Sequence, residues 1–331
     1  MQRRAFMKLL GGAAAGGSVA CPLAGLAQPA GIPVIGYITA GFPEASQTAV
    51  AAFREGLSQT GFVEGRNLRI EYRFAQNDRA RIPGLVADLI RRQVTVIATP
   101  GSVPAAIEAK AETTTTPIVF STAGDPIRTG LVASLSRPGG NVTGVASMNH
   151  ELLGKRFELL IQAVPKAARI AVLINPNSEY AQQTTDEAQR LAAALGKQVE
   201  ILGASKDSEI DTAFASLVEN HADALLVTPA TLFYNRRQQL ADLSIRHAVP
   251  AIYFERENVV AGGLMSYGPD ELDQYRLVGV YAGRILNGEK PADLPIARPT
   301  RFEFIISLKA AKALGLTVPG AMLALADSVI E

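Results

Sequence analysis

Thr116-Pro117-Ile118-Val119-Phe120-Ser121-Thr122-Ala123-Gly124-Asp125-Pro126-Ile127 decides how this chain is read. Pro117 opens the stretch, three large apolar residues follow, and small or hydroxylated residues lead to an Asp-Pro pair. A short apolar run bounded by Pro and Gly predicts a strand buried on both faces, the kind found in parallel sheets. Asp125 then stands at an expected helix N-cap, with Pro126 at the first helical position, where a missing N–H costs nothing. Ligands of open α/β sheets gather at the carboxyl ends of strands, where free amides and helix N-termini point outward. Ser121 to Asp125 is therefore the first candidate ligand loop. Ser121 and Ala123 offer hydroxyl and backbone contacts; Asp125 reads first as a cap and second as a partner for a ligand ammonium.

Outward from this stretch the same unit repeats. Strands are expected at 34–38, 68–72, 94–98, 118–120 and 142–145, with helices at 45–59, 83–92 and 104–113 between them. Val50, Phe53 and Leu57 share one face of the first helix. The pattern restarts with helices at 151–163, 180–195, 208–220 and 235–247 alternating with strands at 170–174, 199–202, 224–227 and 251–254. Such alternation predicts right-handed βαβ units on parallel sheets. Some 300 residues exceed what one core usually holds, so two domains follow. The carboxyl region reads as a strand at 263–267, a helix at 271–286, an edge strand at 302–308 and closing helices at 309–314 and 321–330. The expected fold class is α/β, two Rossmann-like lobes joined by a three-segment hinge. Lobe 1 is expected over 31–146 plus 263–294 and lobe 2 over 147–262 plus 295–331, with crossings near Ser147, Gly262 and residue 295.

Residues 1–27 read as a signal peptide outside the fold. Arg3-Arg4 opens a basic start, 9–20 is apolar and small, and Gly25-Leu26-Ala27 suits cleavage, a twin-arginine pattern. Cys21 is the single cysteine. A lipid anchor there would want a large aliphatic residue where Ser18 stands, so periplasmic release is preferred to anchoring. With that segment removed no disulfide, thiolate nucleophile or thiolate metal site is available. Loss of Arg3, Arg4 and Lys8 takes 32 basic residues to 29 against 31 acidic. A near-neutral surface of that kind argues against nucleic acid.

Several long motifs in order carry a family resemblance. They are Pro33-Val34-Ile35-Gly36, Gly61-Phe62-Val63-Glu64-Gly65-Arg66-Asn67, the 118–126 stretch, and 131–144 with Arg137-Pro138-Gly139-Gly140-Asn141. Ala261-Gly262-Gly263-Leu264-Met265-Ser266-Tyr267-Gly268 and 310–319 complete them. Over nearly its whole length the chain resembles the ABC-transporter substrate-binding family that includes tryptophan- and tyrosine-type binding proteins. The resemblance implies a type I periplasmic binding protein whose lobes close on a small molecule, an aromatic or other amino acid. It implies a monomer that hands the solute to an ABC permease in the inner membrane, with no cofactor. A sensory receptor using the same closure is the alternative; an enzyme on this scaffold ranks lower.

Strand-end residues of both lobes are the expected ligand contacts. In the first lobe these are Thr39, Phe42, Thr99, Gly101, Ser102, Ser121, Ala123 and Asp125, with Ser147 at the crossing. Asn177, Thr228, Tyr253 and Ser266 complete the set. Ser102 and Asn177 read equally well as helix caps, and an aromatic such as Tyr253 or Phe42 is more often core than wall. No catalytic or metal residue is expected. His150-Glu151-Leu152-Leu153-Gly154 begins like a zinc-protease helix but has Gly where the second His must stand. Gly-x-Ser-x-Gly and the phosphate-cradling Gly-rich loop are absent.

Overall fold

The computed structural model describes residues 31–299 and 302–331. The expected signal segment, its cleavage point and Cys21 lie outside the described residues.

Five parallel strands form the first sheet: β1 (Val34–Thr39), β2 (Arg69–Phe74), β3 (Val96–Thr99), β4 (Ile118–Thr122) and β5 (Val142–Ala146). Their order is β2-β1-β3-β4-β5, a doubly wound arrangement whose direction of winding reverses at β1. In β4 the quoted run is buried throughout and splits between the two faces of the sheet. Val119 packs with Tyr37, Phe53 and Val278, while Ile118 and Phe120 pack with Ile38, Val86 and Ala106. Side chains of a strand alternate faces, so three successive large apolar residues serve two cores at once.

The second sheet holds β6 (Arg169–Ile174), β7 (Gln198–Gly203), β8 (Ala224–Val227), β9 (Ala251–Tyr253), β10 (Met265–Pro269), β11 (Phe302–Ser307) and β12 (Ser328–Ile330). Read from β7, its first five strands run β7-β6-β8-β9-β10, the same winding as the first sheet. Then β11 adds antiparallel to β10, and β12 pairs parallel with β11 at the edge.

Four details differ from the sequence expectation. The strand assigned to lobe 1 over 263–267 is β10, and it pairs with β9 and β11 in the second sheet. The crossing therefore falls at Pro269-Asp270, not at Gly262. Asp270 caps the helix Glu271–Leu286 by accepting from Leu272 N (2.9 Å) and Asp273 N (3.1 Å). That helix lies on the first lobe against Gln47–Gln59. A Cβ added to Gly279 would stand 2.1 Å from Phe53 O, so the seam needs a glycine there.

No helix follows Asp125. Its carboxylate accepts from Ile127 N (2.8 Å), and Leu131 N returns to Pro126 O (2.9 Å). The Asx turn satisfies the polar groups locally, in competition with a helix. The closing segment 321–330 is not one helix either. Helix Gly320–Leu325 stops, Asp327 exchanges hydrogen bonds with Phe304 N and O, and the β-branched end pairs as β12. That pairing leaves β11 inside the sheet, not at its edge. Finally, the helix expected over 235–247 divides at Arg236 into Thr231–Asn235 and Arg237–Arg246.

After the helix Glu271–Leu286, Ala297 bridges Val145 beside β5, and Phe302 pairs with Pro269 in the second sheet. The chain thus changes lobe at Ser147-Met148, at Pro269-Asp270 and again between Ala297 and Phe302. Arg156, fully buried in the second lobe, ties two of these crossings. Its guanidinium donates to Tyr267 O (2.7 Å), Asn149 O (3.0 Å) and Asn149 Oδ1.

Candidate functional site

The carboxyl ends of both sheets face each other across a cavity of about 180 Å³. That is room for about a dozen water-sized spheres, the scale of a small solute. The first lobe supplies a wall of small groups: Gly101 after β3, then Ser121, Thr122 and Ala123 at the end of β4. Asn77 and Arg79 follow β2, and Glu271, Gln274 and Tyr275 enter from the start of their helix. The second lobe supplies bulk. Tyr180 follows β6, Thr231 and Tyr234 follow β8, Phe254 follows β9, and His150 stands just past the first crossing.

The two lobes are shut on one another. Tyr180 lies flat against Gly124, where an added Cβ would fall 2.1 Å from the phenol ring. Its hydroxyl donates to Asp125 O and lies near Thr122 Oγ1, both at 3.3 Å, and its ring packs on His150 with centroids 4.5 Å apart and planes tilted by 30°. Arg79 donates to Asn177 O (2.8 Å) and pairs with Glu179 (2.9 Å). Thr231 Oγ1 donates to Gly101 O at 2.8 Å.

Buried polar atoms on the wall have no protein partner. They are Gln274 Nε2, Tyr234 Oη, His150 Nδ1 and Asn77 Nδ2. An unsatisfied buried group costs about 1–3 kcal/mol, which a solute bonding to them would recover. Glu271 accepts from Asn149 Nδ2 at 3.1 Å. Burial lifts its carboxyl to about 7, against the Asn149 hydrogen bond that pulls it down. Burial and the nearby Arg156 charge push His150 down to about 3, so its ring is neutral. The Tyr234 and Tyr275 phenols are pushed up by burial and stay protonated donors.

Of the residues expected from sequence, the structure places Gly101, Ser121, Ala123 and Asn177 on the cavity wall. Ser121 Oγ accepts from Gly101 N (2.8 Å) and so also fastens two loops together. The others lie off the wall. Thr39 and Thr99 are buried beneath the loops, and Arg236 covers the Phe42 ring at 5.4 Å. Ser102 occupies the cap position of helix Val103–Glu112 without a side-chain cap bond, and Asp125 makes the turn described above. Ser147 Oγ donates to Thr122 O (3.3 Å) at the crossing, and Thr228 Oγ1 donates to Leu173 O (2.8 Å). Tyr253 packs in the second-lobe core with its hydroxyl 2.9 Å from Ser244 Oγ. Ser266 is buried in β10.

Sequence reading passed over Tyr180, Tyr234, Tyr275, Glu271, Gln274, His150 and Arg79. Tyr180 and Tyr234 follow strand ends by a few residues, the one signal that could have flagged them. Glu271, Gln274 and Tyr275 follow a strand of the other lobe, so no local pattern points from them to this cavity.

Among the described residues no group of three His, Cys, Asp or Glu could hold a metal ion. None of their helices is long and apolar enough to cross a membrane.

Known proteins resemble this chain along most of its length. The tyrosine-binding protein of Clostridioides difficile (strain R20291) is 29% identical over 272 residues, 81% of this chain and 76% of that protein. A domain from Streptococcus pneumonia solved in complex with L-Trp superposes with a TM-score of 0.81 at 23% identity, covering 90% of this chain and 99% of that one. The ligand-free, open structure of a substrate-binding protein with adhesive properties from Clostridium difficile gives 0.63 at 27% identity, covering 91% and 99%. The fold is that of a type I periplasmic binding protein. The profile described as ABC transporter substrate binding protein matches residues 43–330, so the chain belongs to that family.

Proposed function

We propose that this protein captures an aromatic amino acid in the periplasm and delivers it to an ABC permease in the inner membrane, binding its cargo without transforming it. The observation that carries this reading is the closed cleft itself. Tyr180, Tyr275 and Phe254 form an aromatic wall, and Gln274 Nε2 and Tyr234 Oη stand on it without protein partners. Aromatic faces cover a flat ring well, and the polar atoms orient what carries it. The tyrosine-binding and L-Trp-bound relatives support the same solute class.

The mechanism is closure. Each lobe holds part of the wall, so only the shut form gives a solute its full set of contacts, and binding shifts the population toward that form. A shut, loaded protein presents a surface to the permease that the open one lacks. Binding confined to the native state adds about 2.7 kcal/mol of stability at a hundredfold excess over Kd and by mass action raises the melting temperature. L-tryptophan, L-tyrosine and L-phenylalanine should each raise it, and sugars should not. A shift with a pentose and none with these three would remove the aromatic solute from the proposal. Loss of uptake on deleting the permease tests delivery.

A further inference from the structure

Behind the cavity wall lies a buried charge cluster that closure alone does not require. Glu255 is 1% exposed, and neither of its carboxylate oxygens has a hydrogen-bond partner. Glu271 faces the cavity, and its charge acts on Glu255. The one guanidinium buried with them, Arg156, is already engaged by Tyr267 O and by Asn149 O and Oδ1. Glu257 and Arg237 act on Glu255 from outside with opposite signs. Tyr234 and Tyr275 face the cluster as neutral phenols, Tyr267 meets Arg156 through its carbonyl, and His150 faces Arg156 as a neutral ring. Gln274, 2% exposed, lines the cavity with Nε2 unpartnered, and so does the Tyr234 hydroxyl. These groups point to a ligand and not to a self-contained ion pair.

Charge counting sets what that ligand brings. Two carboxylates against one guanidinium leave an uncompensated negative charge in a region without water-like screening, which is costly. We propose that Glu255 and Glu271 hold one proton between them in the empty cleft, and that the ammonium group of an arriving solute expels it to solvent. Before binding, one carboxyl, one carboxylate and Arg156 sum to zero. After binding, the carboxylates of Glu255 and Glu271 face Arg156 and an ammonium that keeps its own protons, and these four groups again sum to zero; the carboxylate of an amino acid is a further charge outside this cluster. Burial raises both carboxyls, and the Glu271 charge raises Glu255 further, which favours the protonated empty state. The proposal rests on the reading that an amino-acid-like solute occupies this cleft, and adds that its binding is coupled to pH.

Because binding releases a proton, raising the pH favours it. Association should tighten about tenfold per pH unit until the empty pair loses its proton. Calorimetry of the mature protein with L-tryptophan at pH 7, in phosphate and in Tris, counts protons from the difference in heats. About one proton released per solute is expected, falling to none in Glu255→Gln. Tryptamine should release it too, and indole-3-propionic acid, which lacks the ammonium, should not. No release by native protein that binds L-tryptophan overturns the proposal. Infrared spectroscopy of the empty protein supplies a readout that needs no solute: the carbonyl stretch of a protonated carboxyl, lost in Glu255→Gln. If that band is absent, the shared proton falls whatever binds. If it is present and neither amino acid nor amine binds, the displacement step and the solute reading fall while the shared proton stands.

Discussion

The two sheets wind their first five strands in the same order, yet the lobes built on them bring opposite materials to the cleft. The first lobe ends its strands in Gly101, Ser121, Thr122 and Ala123, groups small enough to leave backbone within reach of a solute. The second places Tyr180, Tyr234 and Phe254 opposite. The strand ends of one lobe make a smooth floor, beside which its helix brings in Tyr275, and those of the other make a bulky cover; they fit because Gly124 leaves room for Tyr180. Equal topology therefore does not mean equal function. Strand order decides where loops emerge, and the loops decide what the wall is made of.

Three measurements break or sharpen that contrast. The largest effect should come from Phe120→Ala, which empties a fully buried position in the floor's own sheet. Such truncations cost about 3–5 kcal/mol. Each lobe has its own apolar clusters, so calorimetry should show the first lobe melting ahead of the second. A single transition shifted as a whole would show the lobes to be one cooperative unit.

Next comes Gly124→Val, which puts a branched side chain where the Tyr180 ring lies. The floor and cover can then no longer meet, and affinity for L-tryptophan should fall about a hundredfold, roughly 2.7 kcal/mol. Small-angle scattering should show the variant open with solute present, and Tyr180→Ala added to it should recover part of the affinity. An unchanged affinity would separate closure from binding.

The smallest effect concerns Glu271, which the helix from β10 carries into the first lobe. Its folded carboxyl holds a proton to about pH 7, while the ordinary value is 4.5. Between these points the folded state carries the extra proton, so stability is greatest at the acid end and declines as pH rises through this window. Glu271→Gln removes this carboxyl's share of the decline, while the buried Glu255 keeps its own. The variant should match the native protein near pH 4.5 and exceed it above pH 7, by about 1–3 kcal/mol. Thermal melts of the empty protein across that range check it. His150 works the other way: burial keeps it near 3, so the unfolded chain takes its proton first as pH falls below 6.5. Acid melts should therefore be run on His150→Gln alongside.

Much of the architecture was legible because it is written in short-range pattern. The run Ile118-Val119-Phe120 between Pro117 and Gly124 announced a doubly buried strand, and the strand over 224–227 and the helix over 271–286 coincide with the observed elements. Local chemistry misled where two local options competed. Asp125-Pro126 suits a helix start and an Asx turn alike, and no apolar periodicity follows to favour the helix. Val329 and Ile330 could end a helix or pair as a strand, and the exposed edge of β11 decided for pairing.

The sequence by itself determined two wound sheets, strand ends rich in small and polar groups, and the family to which the chain belongs. Those properties depend on residues within a dozen positions of one another. Only the tertiary structure decided that β10 stays with the second sheet while the helix after it goes to the first. It alone brought Thr231 to Gly101, 130 residues away, and Glu271 to Asn149, 122 residues away. Which strand ends confront each other is set by how two separately built lobes pack around three crossings, and no local pattern encodes that packing.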